Sequence, residues 1–89
     1  MAMPKYAARV DRNQAEIVRA LRKAGCDVLF IKKPVDLLVS RAGLNFLLEV
    51  KYPGEGGPTP DQVEFFATWR GQKAMVETVD EALRAVGLA

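Results

Sequence analysis

Residues 35–51 decide the fold, and they read VDLLVSRAGLNFLLEVK. Two apolar runs, 35–40 and 45–51, flank the short connection Arg41-Ala42-Gly43. Runs of this length that are rich in β-branched, aromatic and other apolar residues are typical of strands. Because the connection is short and contains glycine, the two runs predict an antiparallel β-hairpin.

Three charged side chains interrupt these apolar runs. Side chains alternate between the two faces of a strand, so Glu49 and Lys51 share one face while Phe46 and Leu48 share the other. Pairing within the hairpin lets Asp36 face the same side as Glu49 and Lys51, near one end of the sheet. Charges in a strand of this apolar character are costly unless they are used or paired.

The segment before the hairpin predicts a helix over residues 12–24, with Asp11 as its N-cap and Gly25 as a left-handed stop. A strand is expected over residues 27–31. Residues at helical spacing give the helix one apolar face, which we expect to be formed by Val10, Ile17, Leu21 and Ala24.

The segment after the hairpin begins with a loop over 53–60 that is rich in glycine and proline. Thr59 as N-cap and Pro60 at the first helical position predict a helix to about residue 69. A strand over 73–77 and a helix over 79–86 complete the chain. The side chains expected to face inward from these helices are Val63, Phe66, Ala67, Ala82, Leu83 and Val86.

The order is therefore α-β-β-β-α-β-α, which predicts a single mixed α/β domain over residues 1–89 with a central mixed sheet flanked by helices. No apolar stretch reaches the ~18–20 residues of a membrane span, and the N-terminus lacks an apolar signal core. We therefore expect a cytoplasmic protein with no membrane partner.

The chain of 89 residues contains one cysteine and no histidine. The absence of histidine excludes Ser-His-Asp and Cys-His catalysis and His-ligated zinc. The cysteine, Cys26, lies beside apolar residues and is interpreted as a small buried residue rather than a nucleophile. Carboxylates and carbonyls would have to hold any metal, which favours magnesium or manganese.

Charge is distributed unevenly along the chain. Residues 1–51 contain ten Lys or Arg against five Asp or Glu, whereas residues 52–89 contain three against six. A basic half suits an anionic partner such as nucleic acid. Ordinary solvated helix faces explain the same distribution equally well.

Two carboxylates and a lysine are the minimum set for metal-assisted hydrolysis of a phosphodiester. Asp36 and Glu49 would hold a hard divalent ion, with the Val50 carbonyl as a further ligand, and Lys51 would orient or activate the attacking water. Spacing alone also permits a structural alternative, in which Glu49 pairs with Lys51 and Asp36 pairs with Lys32 or Lys33.

The hairpin and its charges closely resemble the core of the PD-(D/E)XK nucleases. More narrowly, they resemble the virus-type replication-repair nuclease (VRR-NUC) domain and the archaeal Holliday-junction resolvases. Three further segments are similar to small phage and prophage members of this group, in the same order along the chain. They are residues 9–14 (RVDRNQ), residues 59–62 (TPDQ), and residues 69–72 (WRGQ) followed by 79–83 (VDEAL).

The resemblance implies a restriction-endonuclease-like sandwich with metal-binding roles for Asp36 and Glu49 and a catalytic role for Lys51. It also implies an assisting role for Gln62, at the start of the second helix. Many relatives supply a glutamate from the first helix to the metal site. That place corresponds here to Gln14, with Glu16 two positions further on.

The resemblance thus implies an Mg²⁺- or Mn²⁺-dependent endonuclease of a bacterial cell or phage-infected host. The expected substrate is branched DNA such as a four-way junction, cut by a homodimer whose interface uses Phe65, Trp69 or Tyr52. The residues expected to contact phosphates are Arg9, Arg12, Lys32, Lys33 and Arg41. The alternatives are a nuclease fold without turnover that binds nucleic acid or assembles with phage proteins, and a purely structural phage protein.

Overall fold

The computed structural model describes residues 5–54 and 57–88, with side chains from residue 12 onward. The elements are α1 (Lys5–Lys23), β1 (Asp27–Phe30), β2 (Leu37–Arg41), β3 (Leu44–Val50), α2 (Pro60–Thr68), β4 (Lys73–Val76) and α3 (Val79–Ala85). The order predicted from the sequence is confirmed, and the first helix and the second strand differ from prediction at their starts.

The first helix begins at Lys5, so the prediction that Asp11 caps its N-terminus is wrong. Residues 5–10 contain two alanines, a lysine and an arginine but neither glycine nor proline, and these residues favour helix. An aspartate inside a helix costs only about 0.5–0.7 kcal/mol relative to alanine, so Asp11 does not stop propagation. The side chains of Arg9 and Val10 lie outside the described residues.

Helix α1 ends at a glycine in the left-handed conformation, as predicted. Gly25 has a φ of +94°, and the amides of Gly25 and Cys26 donate to the carbonyls of Arg22 and Leu21, each at 3.0 Å. These two hydrogen bonds form a Schellman motif. Ile17 and Leu21 are fully buried as predicted, whereas Ala24 is exposed, because the chain already turns at that point.

The hairpin predicted for residues 35–51 is confirmed as antiparallel pairing of β2 with β3. Arg41 pairs with Leu44, so the turn consists of Ala42 and Gly43, with φ of +53° and +80°. Positive φ at both central residues matches the right-handed twist of the two strands. Glycine takes this conformation freely, which explains its place in the turn.

The sheet has the order β1-β2-β3-β4, with antiparallel pairs except for the parallel β3–β4 pair, which α2 connects. β3 is therefore interior, as its apolar character predicts. Helices α1 and α3 contact each other and lie over one face of the sheet. The core between them is formed by Ile17, Val18, Leu21, Val28, Leu37, Val39, Phe46, Leu48, Val50, Val76, Ala82 and Val86.

The second strand begins at Leu37, so Asp36 lies just before the strand and not inside it as predicted. The carbonyl of Asp36 accepts the amides of Ile31 (2.9 Å) and Lys32 (3.4 Å), and its own amide donates to the carboxylate of Glu49. The regular ladder ends here because a side chain takes the hydrogen bond that a strand backbone would take.

The start of α2 is as predicted. The Thr59 hydroxyl accepts the Gln62 amide at 3.3 Å, the Gln62 side chain accepts the Thr59 amide at 3.2 Å, and Pro60 occupies the first turn. This reciprocal pair is a capping box.

The predicted inward face of α2 is wrong for Val63, which is 55% exposed, and for Ala67. The half-buried residues of α2 are Gln62, Phe65 and Phe66, so only Phe66 of the three predicted residues faces inward. A helical period of 3.6 residues fits either register, and only the observed burial distinguishes them.

The last helix buries Ala82 and Val86 and half-buries Leu83, as predicted. Across residues 5–54 and 57–88, no helix combines the length and the apolar character that crossing a bilayer requires.

Candidate active site

Asp36 and Glu49 meet at one end of the β2–β3 hairpin. Leu37 pairs with Leu48, so the next positions outward, Asp36 and Glu49, lie opposite each other on the face away from α1 and α3. The Asp36 amide donates to Glu49 Oε1 at 3.2 Å, and the Val50 amide donates to Asp36 Oδ2 at 2.9 Å. The two carboxylates are thus locked together by reciprocal backbone hydrogen bonds.

Lys51 completes this group. Its Nζ lies 3.1 Å from Glu49 Oε2, and the two side chains are only 13% and 5% exposed. The Lys51 amide continues the parallel ladder by donating to the Val76 carbonyl at 2.9 Å. We call Asp36, Glu49 and Lys51 the charged cluster.

The charged cluster carries two carboxylates but one ammonium in a poorly hydrated place. Burial is the largest influence on Asp36 and raises its pKa from 3.8 to about 6; the Val50 amide opposes this rise, Glu49 reinforces it, and Lys51 opposes it. The Asp36 carboxyl thus resists ionisation beside a second carboxylate. A further positive charge at this place would stabilise the ionised form of Asp36.

Only one of the two ion pairs in the predicted structural alternative is present. Glu49 does pair with Lys51, but the Asp36 carboxylate accepts from the Val50 amide and not from a lysine. Lys32 and Lys33 instead line an open groove of about 630 Å³ together with Pro34, Thr59, Asp61 and Gln62. The groove adjoins the charged cluster, because a single residue, Val35, separates Pro34 from Asp36 in the chain.

Gln62 is placed in this groove, and its side-chain oxygen caps α2. The side-chain oxygen of Gln62 therefore has a structural role in the capping box. An assisting role in catalysis stays a prediction.

The two candidates on α1 lie elsewhere. Gln14 is half-buried, and Glu16 is exposed and lines a cavity of about 440 Å³ with Arg12, Asn13, Tyr52, Pro53, Glu77, Thr78 and Val79. Within the part of the chain that the structure describes, no three acidic or cysteine side chains gather as metal ligands. The cluster therefore offers two carboxylates, and a third ligand would have to come from the backbone.

The predicted phosphate-binding residues are spread over the molecule. Arg12 is exposed beside Glu16, and Lys32 and Lys33 lie next to the charged cluster. Arg41 is at the hairpin turn, at the opposite end of β2, where its Nη1 donates to the Val86 carbonyl at 3.2 Å. Arg41 thus ties the hairpin to the end of α3.

Sequence reasoning missed Asn13. Its side-chain amide donates to the Lys51 carbonyl at 2.8 Å and to the Glu77 carbonyl at 2.9 Å, which joins α1 to the ends of β3 and β4. One signal was available: Asn13 stands four residues before Ile17 and eight before Leu21, on the apolar face of the helix. A polar residue in such a stripe needs a partner.

Comparisons of the chain with protein-family models, with curated proteins and with solved structures returned no match. The resemblance to the PD-(D/E)XK nucleases accordingly rests on the motifs and their order.

Proposed function

We propose that the protein is a metal-dependent DNA endonuclease with Asp36, Glu49 and Lys51 at its active site. The observation that carries this proposal is the charged cluster, in which two carboxylates and one ammonium share a poorly exposed place at the end of β2 and β3. A purely structural role would be served by a single ion pair, and the second carboxylate adds an unfavourable charge.

The donor set fits a divalent cation of the magnesium type. Asp36, Glu49 and the carbonyl of Val50 would hold it, since hard cations prefer oxygen ligands and each carboxylate oxygen has more than one lone pair. Bound there, the cation would polarise the phosphate and acidify a water. The charge left over by Asp36, Glu49 and Lys51 is −1, which a cation would offset.

The residues of the chain supply the other requirements. The Val50 amide fixes the Asp36 carboxylate, and the Asp36 amide fixes that of Glu49, so both are oriented before substrate binds. The Lys51 ammonium stands beside them and can donate a hydrogen bond to the attacking water or to the phosphate oxygens as negative charge develops.

The substrate class follows from size and from the resemblance. A domain of 89 residues does not enclose a duplex, so selection by DNA structure, such as a branch or four-way junction, fits better than selection by sequence. A two-fold homodimer would present two charged clusters to two strands.

One observation favours a second candidate, a nucleic-acid-binding module without turnover. Both oxygens of Glu49 already have protein partners, and the residue is 4% exposed. In this alternative, the cluster is a closed hydrogen-bonded unit that takes no cation.

The deciding experiment measures cleavage of junction, flap and linear DNA with Mg²⁺, Mn²⁺ or EDTA. We expect metal-dependent cleavage by the wild type and a loss of about 100-fold or more in Lys51→Ala, because transition-state charge is no longer offset. Lys73→Ala is the matched control, since Lys73 is also half-buried but lies at the other end of the β3–β4 pair. Equal cleavage by wild type and Lys51→Ala would refute the assignment, and DNA binding without any cleavage would favour the second candidate.

A further inference from the structure

The end of β1 presents an aromatic ring to solvent. Phe30 is the last residue of β1 and is 52% exposed, although phenylalanine is among the residues most often buried. It lines an open pocket of about 320 Å³ with Ala15, Val18, Arg19 and Arg22 of α1. We call this site the Phe30 pocket.

The arginine beside the ring is held in place. Arg22 Nη2 donates to the Val28 carbonyl at 3.1 Å, and the guanidinium carbon lies 5.9 Å from the centre of the Phe30 ring. Such a distance is within the range of a cation–π contact. The pocket therefore has a fixed cation at its wall, an apolar floor at Ala15 and Val18, and no carboxylate in its lining.

The charged residues that line the Phe30 pocket are both cations, and two more cations lie nearby in the chain. Arg19 and Arg22 line the Phe30 pocket, and Lys32 and Lys33 stand two and three residues after Phe30 in the chain. An exposed aromatic side chain between cations is the arrangement by which proteins bind unpaired nucleic-acid strands, since the base stacks on the ring and the phosphates contact the cations. A volume of this size is at the lower end of ligand sites and suits one flat ring system.

The Phe30 pocket lies at the same end of the sheet as the charged cluster. Phe30 pairs with Leu37, the residue after Asp36, and the Ile31 amide donates to the Asp36 carbonyl. The Cα atoms of Phe30 and Asp36 are thus at most about 9 Å apart, from one cross-strand and one sequential spacing.

We infer that the Phe30 pocket binds one unpaired base of a single-stranded nucleic acid, with the flanking phosphates on Arg19, Arg22, Lys32 and Lys33. One consequence of this inference rests on the proposed function: the bound strand would lead around the end of the sheet to the charged cluster. The preferred substrate would then carry an unpaired segment beside the cut.

The test is equilibrium binding of a fluorescein-labelled oligothymidylate and of a matched duplex, in EDTA so that no cleavage occurs. Phe30→Leu should weaken single-strand binding by about 5-fold to 100-fold, and Phe30→Trp should keep or tighten it, because base stacking needs an aromatic ring. Arg19→Gln should weaken binding and flatten its dependence on log salt by about 0.7 for one lost phosphate contact.

Matched controls lie at the other end of the sheet. Leu44 is 53% exposed at the hairpin turn, so Leu44→Ala tests the loss of an equally exposed apolar side chain. Arg70→Gln removes one cation from the segment just before β4. Both should change single-strand affinity less than twofold, and thermal unfolding checks that every variant folds.

Three results would overturn the inference: wild-type affinity in Phe30→Leu, an equal loss of affinity for duplex and single strand in Phe30→Leu, or weakened single-strand binding in Phe30→Trp. Loss of self-association or of protein binding in Phe30→Leu, with oligothymidylate binding unchanged, would assign the pocket to a protein partner instead. Tight single-strand binding without cleavage in Mg²⁺ or Mn²⁺ would refute the nuclease proposal and support the Phe30 pocket as a binding site. Metal-dependent cleavage that does not change in Phe30→Leu would support the nuclease proposal and refute the role of the pocket.

Discussion

At the scale of the residue, Asp36 couples the site to pH. Its folded pKa of about 6 is above its ordinary value of 3.8. Between these two values the folded protein holds a proton that the unfolded chain releases. The free energy of unfolding therefore falls as pH rises through this window, and the full loss of stability is reached above pH 6.

Replacement of Asp36 by asparagine should therefore stabilise the metal-free protein at pH 8 by about 1–2 kcal/mol and have little effect at pH 4, since asparagine imitates the protonated acid. Urea unfolding at the two pH values measures the difference. Asp27→Asn is the control for removal of a carboxylate outside the charged cluster, since Asp27 is exposed on β1. A wild type that gains stability from pH 4 to pH 7 relative to Asp36→Asn would contradict the assignment.

A second prediction at this scale concerns Gly25, whose φ is +94°. Gly25→Ala should cost about 1–2 kcal/mol of unfolding free energy, because a Cβ atom is strained in the left-handed region. An alanine at Gly57, which has open space around it and no positive φ, should change stability by less than about 0.5 kcal/mol. Equal effects of the two substitutions would mean that the Schellman motif does not set the end of α1.

At the scale of the element, Asn13 joins α1 to two strands. Asn13→Ala leaves the Lys51 and Glu77 carbonyls without their donor, so we expect a loss of about 1–3 kcal/mol in unfolding free energy. Gln72→Ala is matched, since it removes a single amide-to-carbonyl bond of 2.8 Å to Asn45 at the exposed end of β3. Denaturant unfolding should show the smaller loss for Gln72→Ala, and a reversed order would refute the bridging role.

The helices and strands also show which features of the fold can be predicted from the sequence. Alternation and turn residues predict the hairpin and the common face of Glu49 and Lys51 at the end of β3, because these depend on neighbours in the chain. The start of α1, the inward face of α2 and the two bonds of Asn13 depend on contacts between distant segments. Periodicity of one segment does not contain that information, and for α2 two helical registers fit equally.

The position of Asp36 can be predicted only in part from the sequence. Its place opposite Glu49 follows from the hairpin register, but its position outside the strand does not. The reason is the hydrogen bond of its amide to Glu49 Oε1, which replaces a ladder bond. Functional clusters are places where local rules are expected to fail.

At the scale of the whole molecule, self-association is the property to test. Val63 and Trp69 expose 55% and 46% of their surface on and beside α2, and the resemblance implies a homodimer. We expect sedimentation to show a dimer at micromolar concentration and Trp69→Glu to shift it toward monomer, because a buried charge at an interface is costly. Leu44→Glu, at the hairpin turn, should leave the association unchanged. A monomer at all concentrations would remove the two-fold arrangement from the proposed function.

The parallel edge of the sheet has one more consequence. The acidic pair is assembled within the hairpin, whereas the backbone of Lys51 is held by Val76 of β4 and by Asn13 of α1. Partial detachment of β4 would release the Lys51 amide from Val76 and loosen the backbone that carries the ammonium, while the two acids stay in register. Local opening of this kind would displace Lys51 from the acidic pair, so the hydrolysis that we propose would depend on the stability of the β3–β4 pairing.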